Sequence, residues 1–258
     1  MDILAKIATQ KRAEVEKLKR ELPLDSIKRK IPSDSRLGFK QVLSHDATIN
    51  IIAELKRGSP SKGLMVSDFD PVKLARQYRE GGAVALSVLT DEKFFYGRYE
   101  YMELVKQATE LPVLCKDFVI EPYQIYYARY MSADAVLLIV KLLQPDSLTE
   151  MINLSHKLQL DCVVEVHNKE ELRAALDCGA DIIGVNNRNL CDFSVNLEIS
   201  EALAPFIPSN VIKIAESGIF SFADVNRLKA CGYTTFLVGE ALVTSSDPVR
   251  LLKSLRGA

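Results

Sequence analysis

Charged side chains follow two short apolar runs of the chain, at the points where buried strands would end. The run Ile51–Ala53 is followed by Glu54 and Lys56, and the run "VLC" at 113–115 is followed by Lys116. Because alternate residues of a strand point to the same face, Glu54 and Lys56 would share one side of it. Desolvation at the end of an apolar strand could lower the pKa of Lys116 and make it a useful proton donor.

One carboxylate lies inside an apolar run instead of after it. Glu165 is flanked by valines in the segment 162–166, "CVVEV". Desolvation would raise the pKa of this carboxyl group unless a cation pairs with it. The structural alternative to a catalytic role is a buried ion pair with Lys56 or Lys116. Either way, we expect Glu165 to belong to the same polar cluster.

Three later apolar runs also end in polar or glycine residues. These residues are Asn186 and Arg188 after the first of the three runs, Glu216, Ser217 and Gly218 after the second, and Gly239 and Glu240 after the third. Glycines at such turns let backbone N–H groups approach a phosphate. Arg188 offers a planar fork to a carboxylate, while the Lys56 ammonium is a point charge. This pattern predicts a ligand with two acidic groups.

Residues near other strand ends have simpler interpretations. His167 and Lys141 are expected to be solvated side chains without a chemical role. Cys115 and Cys162 are expected to pack in the core. The aromatic segment 91–101, "DEKFFYGRYEY", could contact a flat ring of the substrate or fasten a loop to the rim of the fold.

Short β-branched runs alternate with helix-like segments after residue 50, which predicts eight strand–helix units. Small residues recur where a helix passes into the next strand, as in "EGGAVAL" and "DCGADIIGV". The predicted strands are Asn50–Glu54, Ala83–Val88, Pro112–Cys115, Ala135–Val140, Cys162–Val166, Ile182–Asn186, Val211–Ala215 and Thr235–Val238. The predicted helices cover 71–80, 99–109, 122–131, 146–158, 168–177, 197–204, 221–230 and 247–255. This repeat predicts an α/β fold, a (β/α)₈ TIM barrel. A doubly wound open sheet is the main alternative, and it is disfavoured because no GxGxxG follows the first strand.

An N-terminal helical extension precedes the barrel. Apolar residues at helical spacing predict a surface helix over 3–22, which Pro23 ends. A second short helix is predicted over 33–44. We therefore expect one domain over residues 1–258, of which 1–48 is the extension.

Composition excludes several classes of protein. The 33 basic and 34 acidic residues give a formal charge of −1, so we expect no nucleic-acid partner and no anionic membrane surface. Five scattered cysteines without a CxxC pair favour a reducing cytoplasm, and three histidines without ligand-like spacing argue against a metal. The charged N-terminus has no apolar signal region, and no apolar run is long enough to span a membrane.

Seven segments together resemble the indole-3-glycerol-phosphate synthase family of tryptophan biosynthesis. They run in family order along nearly the whole chain, and the N-terminal extension is also a family trait. The segments are "IIAELKRGSPSKG", "LTDEKFFYG", "VLCKDFVIEPYQI", "VVEVHNKEEL", "GVNNRNL", "IAESGI" and "LVGEAL". The resemblance implies closure of an indole ring from 1-(2-carboxyphenylamino)-1-deoxyribulose 5-phosphate, with loss of carbon dioxide and water.

The resemblance also implies roles for individual residues. Lys116 would be the general acid on the substrate carbonyl, with Glu54 holding it in place, and Glu165 would accept or relay a proton in the dehydration. Asn186 would orient the sugar hydroxyls. The implied catalytic set is Glu54, Lys56, Lys116, Glu165, Asn186 and Ser217. The implied substrate-binding set is Lys56, Ser59, Phe118, Arg188, Glu216, Ser217, Gly218, Leu237, Gly239 and Glu240, with no cofactor and no metal.

Two other functions fit parts of the pattern. A phosphoribosylanthranilate isomerase would need a Cys/Asp acid–base pair at strand ends, and Cys115 does not end the first strand. A non-catalytic binding or scaffold barrel should have lost some of Glu54, Lys116, Glu165 and Asn186. The implied partner is the small phosphorylated, anthranilate-derived substrate, and a monomer or a complex with other pathway enzymes are both left open.

Overall fold

The predicted barrel is confirmed. A computed structural model of the protein describes residues 3–31, 37–44, 49–190 and 192–257. Eight parallel strands close in the order β1-β10-β9-β8-β7-β6-β5-β4, and β2 and β3 form a separate hairpin. The strands are β1 (Asn50–Leu55), β2 (Gly58–Ser59), β3 (Gly63–Leu64), β4 (Ala85–Leu89), β5 (Val113–Lys116), β6 (Ala135–Ile139), β7 (Asp161–Val166), β8 (Ile182–Asn186), β9 (Ile212–Glu216) and β10 (Thr235–Val238).

Helices follow the barrel strands as predicted, with additional short segments. The helices are α1 (Ile3–Glu21), α2 (Leu24–Lys30), α3 (Phe39–Leu43), α4 (Pro71–Glu80), α5 (Glu92–Phe95), α6 (Glu100–Thr109), α7 (Pro122–Tyr130), α8 (Pro145–Lys157), α9 (Lys169–Asp177), α10 (Glu198–Leu203), α11 (Phe222–Lys229), α12 (Glu240–Val243) and α13 (Pro248–Leu255). Two 3₁₀ turns cover Val140–Leu142 and Ala204–Phe206. No helix in the described part of the chain is long and apolar enough to cross a membrane.

Local signals explain where several helices begin. The Asp70 side chain accepts a hydrogen bond from the Lys73 N–H at 2.9 Å, and Pro71 occupies the first turn of α4, where its missing N–H costs nothing. Ser221 and Asp224 form a reciprocal capping box at the start of α11. Such caps fix the points at which the loops at the rim of the barrel end.

Alternation along the strands divides the apolar residues into two cores. One side of each strand packs against the surrounding helices, and the other side fills the barrel interior. The interior set comprises Ile52, Ala85, Leu114, Ala135, Leu137, Ile139, Val163, Ile182, Ile214 and Leu237, together with Phe39 and Leu43. Phe39 and Leu43 belong to α3, so this short helix contributes to the interior core.

The extension differs in part from its prediction. The helix predicted over 3–22 is confirmed as α1, but α2 was not predicted. The predicted helix over 33–44 is confirmed only over α3, and its first part, 33–36, lies outside the described residues. The predicted end of the extension at residue 48 also lies outside them. Val15 and Ile27 pack on Tyr123 of α7, which attaches α1 and α2 to the barrel.

A buried lysine ties α1 to the rim of the barrel. The Lys11 side chain is fully buried, and its Nζ lies 2.9 Å from Asp91 Oδ2, 2.8 Å from Asp117 Oδ1 and 3.0 Å from Glu14 Oε2. Asp117 also accepts hydrogen bonds from Thr90 and Tyr99. Asp117 directly follows β5, so the N-terminal helix holds the loop that leaves this strand.

We predict that Lys11→Met lowers the free energy of unfolding by about 3–5 kcal/mol, because Asp91 and Asp117 would remain buried without a cation. Denaturant unfolding of both proteins measures the difference. Lys17→Met is the matched control, since Lys17 is exposed on the same helix and its ion pair with Glu21, at 3.7 Å, is also exposed. Its effect should stay within about 0.5 kcal/mol. A Lys11 variant as stable as the control would contradict the anchoring role.

Candidate active site

An open cavity lies at the carboxyl ends of the barrel strands, with a volume of about 860 Å³ that includes the space open to solvent at its mouth. It contains every predicted site residue except Ser59. The predicted residues that line it are Glu54, Lys56, Lys116, Phe118, Glu165, Asn186, Arg188, Glu216, Ser217, Gly218, Leu237, Gly239 and Glu240. Ser59 lies instead on the hairpin after β1, where its Oγ is 3.3 Å from that of Ser61.

The end of β1 supplies a charged pair. Lys56 Nζ lies 2.6 Å from Glu54 Oε1, while Leu55 between them packs in the outer core. This confirms that Glu54 and Lys56 share the inner side of the strand. The pair sits against Gly239, where an added Cβ would lie only 2.3 Å from Glu54 Oε1 and 3.1 Å from Lys56 Nζ. A larger residue at position 239 would therefore displace the pair.

Lys116 connects opposite walls of the barrel. Its Nζ lies 3.1 Å from Glu165 Oε2 on β7 and 2.5 Å from Glu216 Oε2 on β9. In the strand order, β5 and β9 stand diametrically across the barrel from each other. The Lys116–Glu216 contact therefore crosses the full width of the barrel mouth.

The expected direction of the Lys116 pKa shift was wrong. Burial by itself lowers the pKa of this ammonium group, but the nearby carboxylates of Glu216, Glu165 and Glu54 outweigh burial, and the pKa is raised. The prediction from sequence considered the effect of desolvation on the Lys116 pKa, but not the effect of the three carboxylates. The surrounding carboxylates therefore keep Lys116 protonated and positively charged.

The two carboxylates that flank Lys116 differ in their pKa shifts. Burial raises the pKa of Glu165, but Lys116, His167 and a hydrogen bond with Asn186 outweigh it, so the pKa is lowered. Burial and the charge of Glu165 raise the pKa of Glu216 to about 7, although Lys116 opposes the shift. Glu216 is therefore the carboxyl group of this pair that takes up a proton more readily, while Glu165 stays ionised.

His167 is not solvated, contrary to its prediction. Its side chain is 13% exposed; Nδ1 lies 3.0 Å from Glu171 Oε2, and Nε2 lies 3.4 Å from Glu165 Oε1. The alternation that placed Glu54 beside Lys56 could have found it, because His167 follows Glu165 by two residues. Lys141, by contrast, is exposed.

A second charged group lies across the cavity beside α12. Glu240, the first residue of α12, accepts a hydrogen bond from Arg188 Nη2 at 3.1 Å and forms a short contact with Lys62 of the β2–β3 segment. Both cations contribute to a lowered pKa of the Glu240 carboxyl, against the effect of burial. Lys62 was missed, because it lies in a loop eight residues beyond Glu54 and shows no distinctive spacing. Arg188 and Lys62 concentrate positive charge at this end of the cavity.

The segment 91–101 is fastened to the rim of the barrel, as one of its two interpretations predicted, and it also reaches the cavity. Asp91 and Tyr99 fasten it to the rim through Lys11 and Asp117. Phe95 lines the cavity, and its ring lies 5.8 Å from that of Phe118. The two rings form an apolar wall beside the charged groups.

Comparisons with known proteins agree with this geometry. A family model described as "Indole-3-glycerol phosphate synthase" matches residues 4–255. The chain belongs to the indole-3-glycerol phosphate synthase family. Members of this family are carboxy-lyases that close an indole ring.

Relatives of the same name match the chain over almost its whole length. The protein from Chlorobium luteolum is 45% identical, over 96% of this chain and 95% of the relative. The protein from Lachnoclostridium phytofermentans is 41% identical, over 98% of both chains.

Solved structures of other barrels share the fold. A 3-hexulose-6-phosphate synthase superimposes with a TM-score of 0.65 at 14% identity, covering 81% of this chain and 98% of its own. A thiamine phosphate pyrophosphorylase from Pyrococcus furiosus gives a TM-score of 0.63 at 19% identity, covering 81% and 94%.

The two buried cysteines lie away from the cavity, and a metal ion would need a group of suitable donor side chains. Cys115 and Cys162 are buried in the outer core, as predicted. Among the described residues, no three His, Cys, Asp or Glu side chains are grouped so as to hold a metal ion. The polar side chains that line the cavity are lysines, an arginine, carboxylates, an amide and a serine.

We predict that the Glu216 carboxyl titrates near pH 7, so that it is protonated below this pH and charged above it. Infrared difference spectra recorded between pH 5 and 9 should lose the carbonyl stretch of a protonated carboxyl group across about pH 7. The band should be absent in Glu216→Gln and unchanged in Glu170→Gln, which alters an exposed carboxylate. Persistence of the band in Glu216→Gln would contradict the assignment.

Proposed function

We propose that this protein catalyses the indole-3-glycerol phosphate synthase reaction: ring closure of 1-(2-carboxyphenylamino)-1-deoxyribulose 5-phosphate with loss of carbon dioxide and water. The observation that carries the proposal is the Lys116 ammonium between Glu165 and Glu216, at the centre of the cavity. Family membership supports the reaction, and the arrangement of charges supports the individual roles.

Lys116 is the proposed general acid of ring closure. As the new carbon–carbon bond forms, the substrate carbonyl oxygen gains negative charge and then a proton. A buried ammonium group stabilises this negative charge and supplies the proton. Glu216, at 2.5 Å and with a pKa near 7, is placed to return a proton to Lys116. Loss of carbon dioxide then restores the aromatic ring.

Glu54 has a different proposed task from the one that the resemblance implied. Its carboxylate contacts Lys56, at 2.6 Å, and acts on Lys116 through its charge. We propose that Glu54 orients Lys56 toward the substrate carboxylate. Lys56 thereby binds the group that is later lost as carbon dioxide.

Glu165 is the proposed base of the dehydration. Its lowered pKa keeps it ionised at neutral pH, as proton acceptance requires. Asn186 hydrogen bonds with it and lines the cavity, where the amide is placed to orient the sugar hydroxyls. Glu165 takes a proton from the substrate, and the hydroxyl group leaves as water after it receives a proton from the Lys116 ammonium.

The two ends of the substrate fit different walls of the cavity. The phosphate is proposed to bind Arg188 and the backbone near Gly218, Gly239 and Glu240, with Ser217 beside it. The aromatic ring is proposed to lie against Phe95 and Phe118, with Leu237 below. Ser59 remains a predicted contact that movement of the β2–β3 hairpin would have to bring into the cavity. We further propose that the enzyme acts in the cytoplasm on this small substrate, with no cofactor.

The isomerase alternative meets a structural obstacle. Cys115 lies in the outer core, 3.7 Å from Thr90 Oγ1, and burial raises the pKa of its thiol. The adjacent Asp117 is paired with Lys11. Cys115 does not line the cavity, and the Asp117 carboxylate, which does, is already held by Lys11.

We predict that the unaltered protein, incubated with the carboxyphenylamino-deoxyribulose phosphate and a chelator, produces indole fluorescence. In the same assay, Lys116→Ala should lower kcat by about 10²–10⁴-fold, with KM changed only a few-fold. The reason is that Lys116 acts on charge that develops during the reaction. Lys253→Ala, which removes an exposed lysine of α13, is the matched control. No fluorescence with the unaltered protein would disprove the function, whereas equal losses in kcat and 1/KM would remove Lys116 from its role as acid.

We predict that Glu165→Gln also lowers kcat by at least about 10²-fold, because an amide cannot accept the proton. Single-turnover measurements should show accumulation of an intermediate that precedes water loss. Circular dichroism of the variant checks that it is folded. Near-normal turnover would assign Glu165 a structural role only.

A further inference from the structure

Two basic side chains approach Glu165, one at each of its oxygens. Lys116 Nζ lies 3.1 Å from Oε2, and His167 Nε2 lies 3.4 Å from Oε1. The two oxygens therefore have separate partners. Only one of these partners, Lys116, is proposed to act on the substrate.

The His167 imidazole is itself held in place from the opposite side. Glu171 Oε2 lies 3.0 Å from Nδ1 and also accepts the backbone N–H of His167 at 2.8 Å. Glu171 Oε1 accepts from the side chain of Asn168, which caps α9 through the Glu171 N–H. The first turn of α9 thus fixes Glu171, and Glu171 fixes the ring.

We propose that His167 is a positioning residue that keeps Glu165 ionised while Lys116 is engaged with the substrate. The inference rests on the proposed function. When Lys116 turns to the carbonyl oxygen, the attraction that it exerts on Glu165 weakens, and the imidazolium remains beside Oε1. The base of the dehydration is thereby kept as a carboxylate through the earlier steps.

The charges around His167 favour its protonated form. Burial lowers its pKa, but Glu171, Glu165 and Glu216 outweigh burial, and the pKa is raised. The pKa values of Glu165 and Glu171 are both lowered, in part by His167. The charged groups that face this pair from neighbouring elements include Lys116 on β5, Glu216 on β9 and Glu171 on α9.

The experiment is the pH profile of kcat for the unaltered protein and for His167→Gln, a neutral variant that can still hydrogen bond. An opposite charge at this distance lowers a carboxyl pKa by about one unit or more, so its loss should move the acidic limb upward by about one pH unit. At neutral pH Glu165 is ionised in both proteins, so kcat there should fall far less than on removal of the base itself, with KM changed less than about threefold. His156→Asn, in the exposed part of α8, is the matched control and should leave both limbs in place.

A second measurement does not depend on turnover. The ring signals of His167, assigned by their loss in His167→Gln, should titrate at lower pH in Glu165→Gln and in Glu171→Gln, because each substitution removes a neighbouring negative charge. An active protein whose acidic limb is the same with and without His167 would overturn the inference. A His167 titration that Glu165→Gln leaves unmoved would also overturn the inference, whether or not the protein turns over the substrate. Failure to turn over the substrate would by itself count against the proposed function alone.

Discussion

The arrangement of the site depends on one ammonium group. Lys116 reaches from β5 to carboxylates on β7 and β9, and the contact with Glu216 spans the barrel. Buried carboxylates are costly unless they are paired, so Glu165 and Glu216 are tolerated near the apolar interior because Lys116 stands between them. The same constraint explains why the cavity carries both signs of charge and why its carboxyl groups differ in pKa.

Room for these charges comes from positions without side chains. Gly239 lies against the Glu54–Lys56 pair, and an added Cβ at Gly184 would lie 2.2 Å from Glu216 Oε1. Below them, the aliphatic interior and α3 form a floor that excludes water from the lower half of the barrel. A polar mouth above an apolar floor strengthens each electrostatic contact, since screening by water is reduced.

Local pattern predicted most of the fold and much of the candidate site. Period-two alternation placed Glu54 beside Lys56, and the flanking valines predicted that Glu165 is buried, because both relationships lie within one strand. Contacts between distant segments could not be read in the same way. The pKa of Lys116 is raised by carboxylates on other strands. Lys11, unlike the solvated Lys17, pairs with Asp91 and Asp117, which lie far along the chain. His167 was missed although the alternation included it, since a lone histidine after a strand is usually solvated.

Closure of the barrel between β1 and β10 has a consequence for the order of assembly. The two strands pair through Ala53 and Val238, and Gly239 then covers Glu54 and Lys56. A nascent chain that has emerged only as far as β9 lacks this seam, so the Glu54–Lys56 pair would remain open to water. Because contacts of such long sequence separation form late and slowly, catalytic competence should appear only with the last strand, after most secondary structure exists.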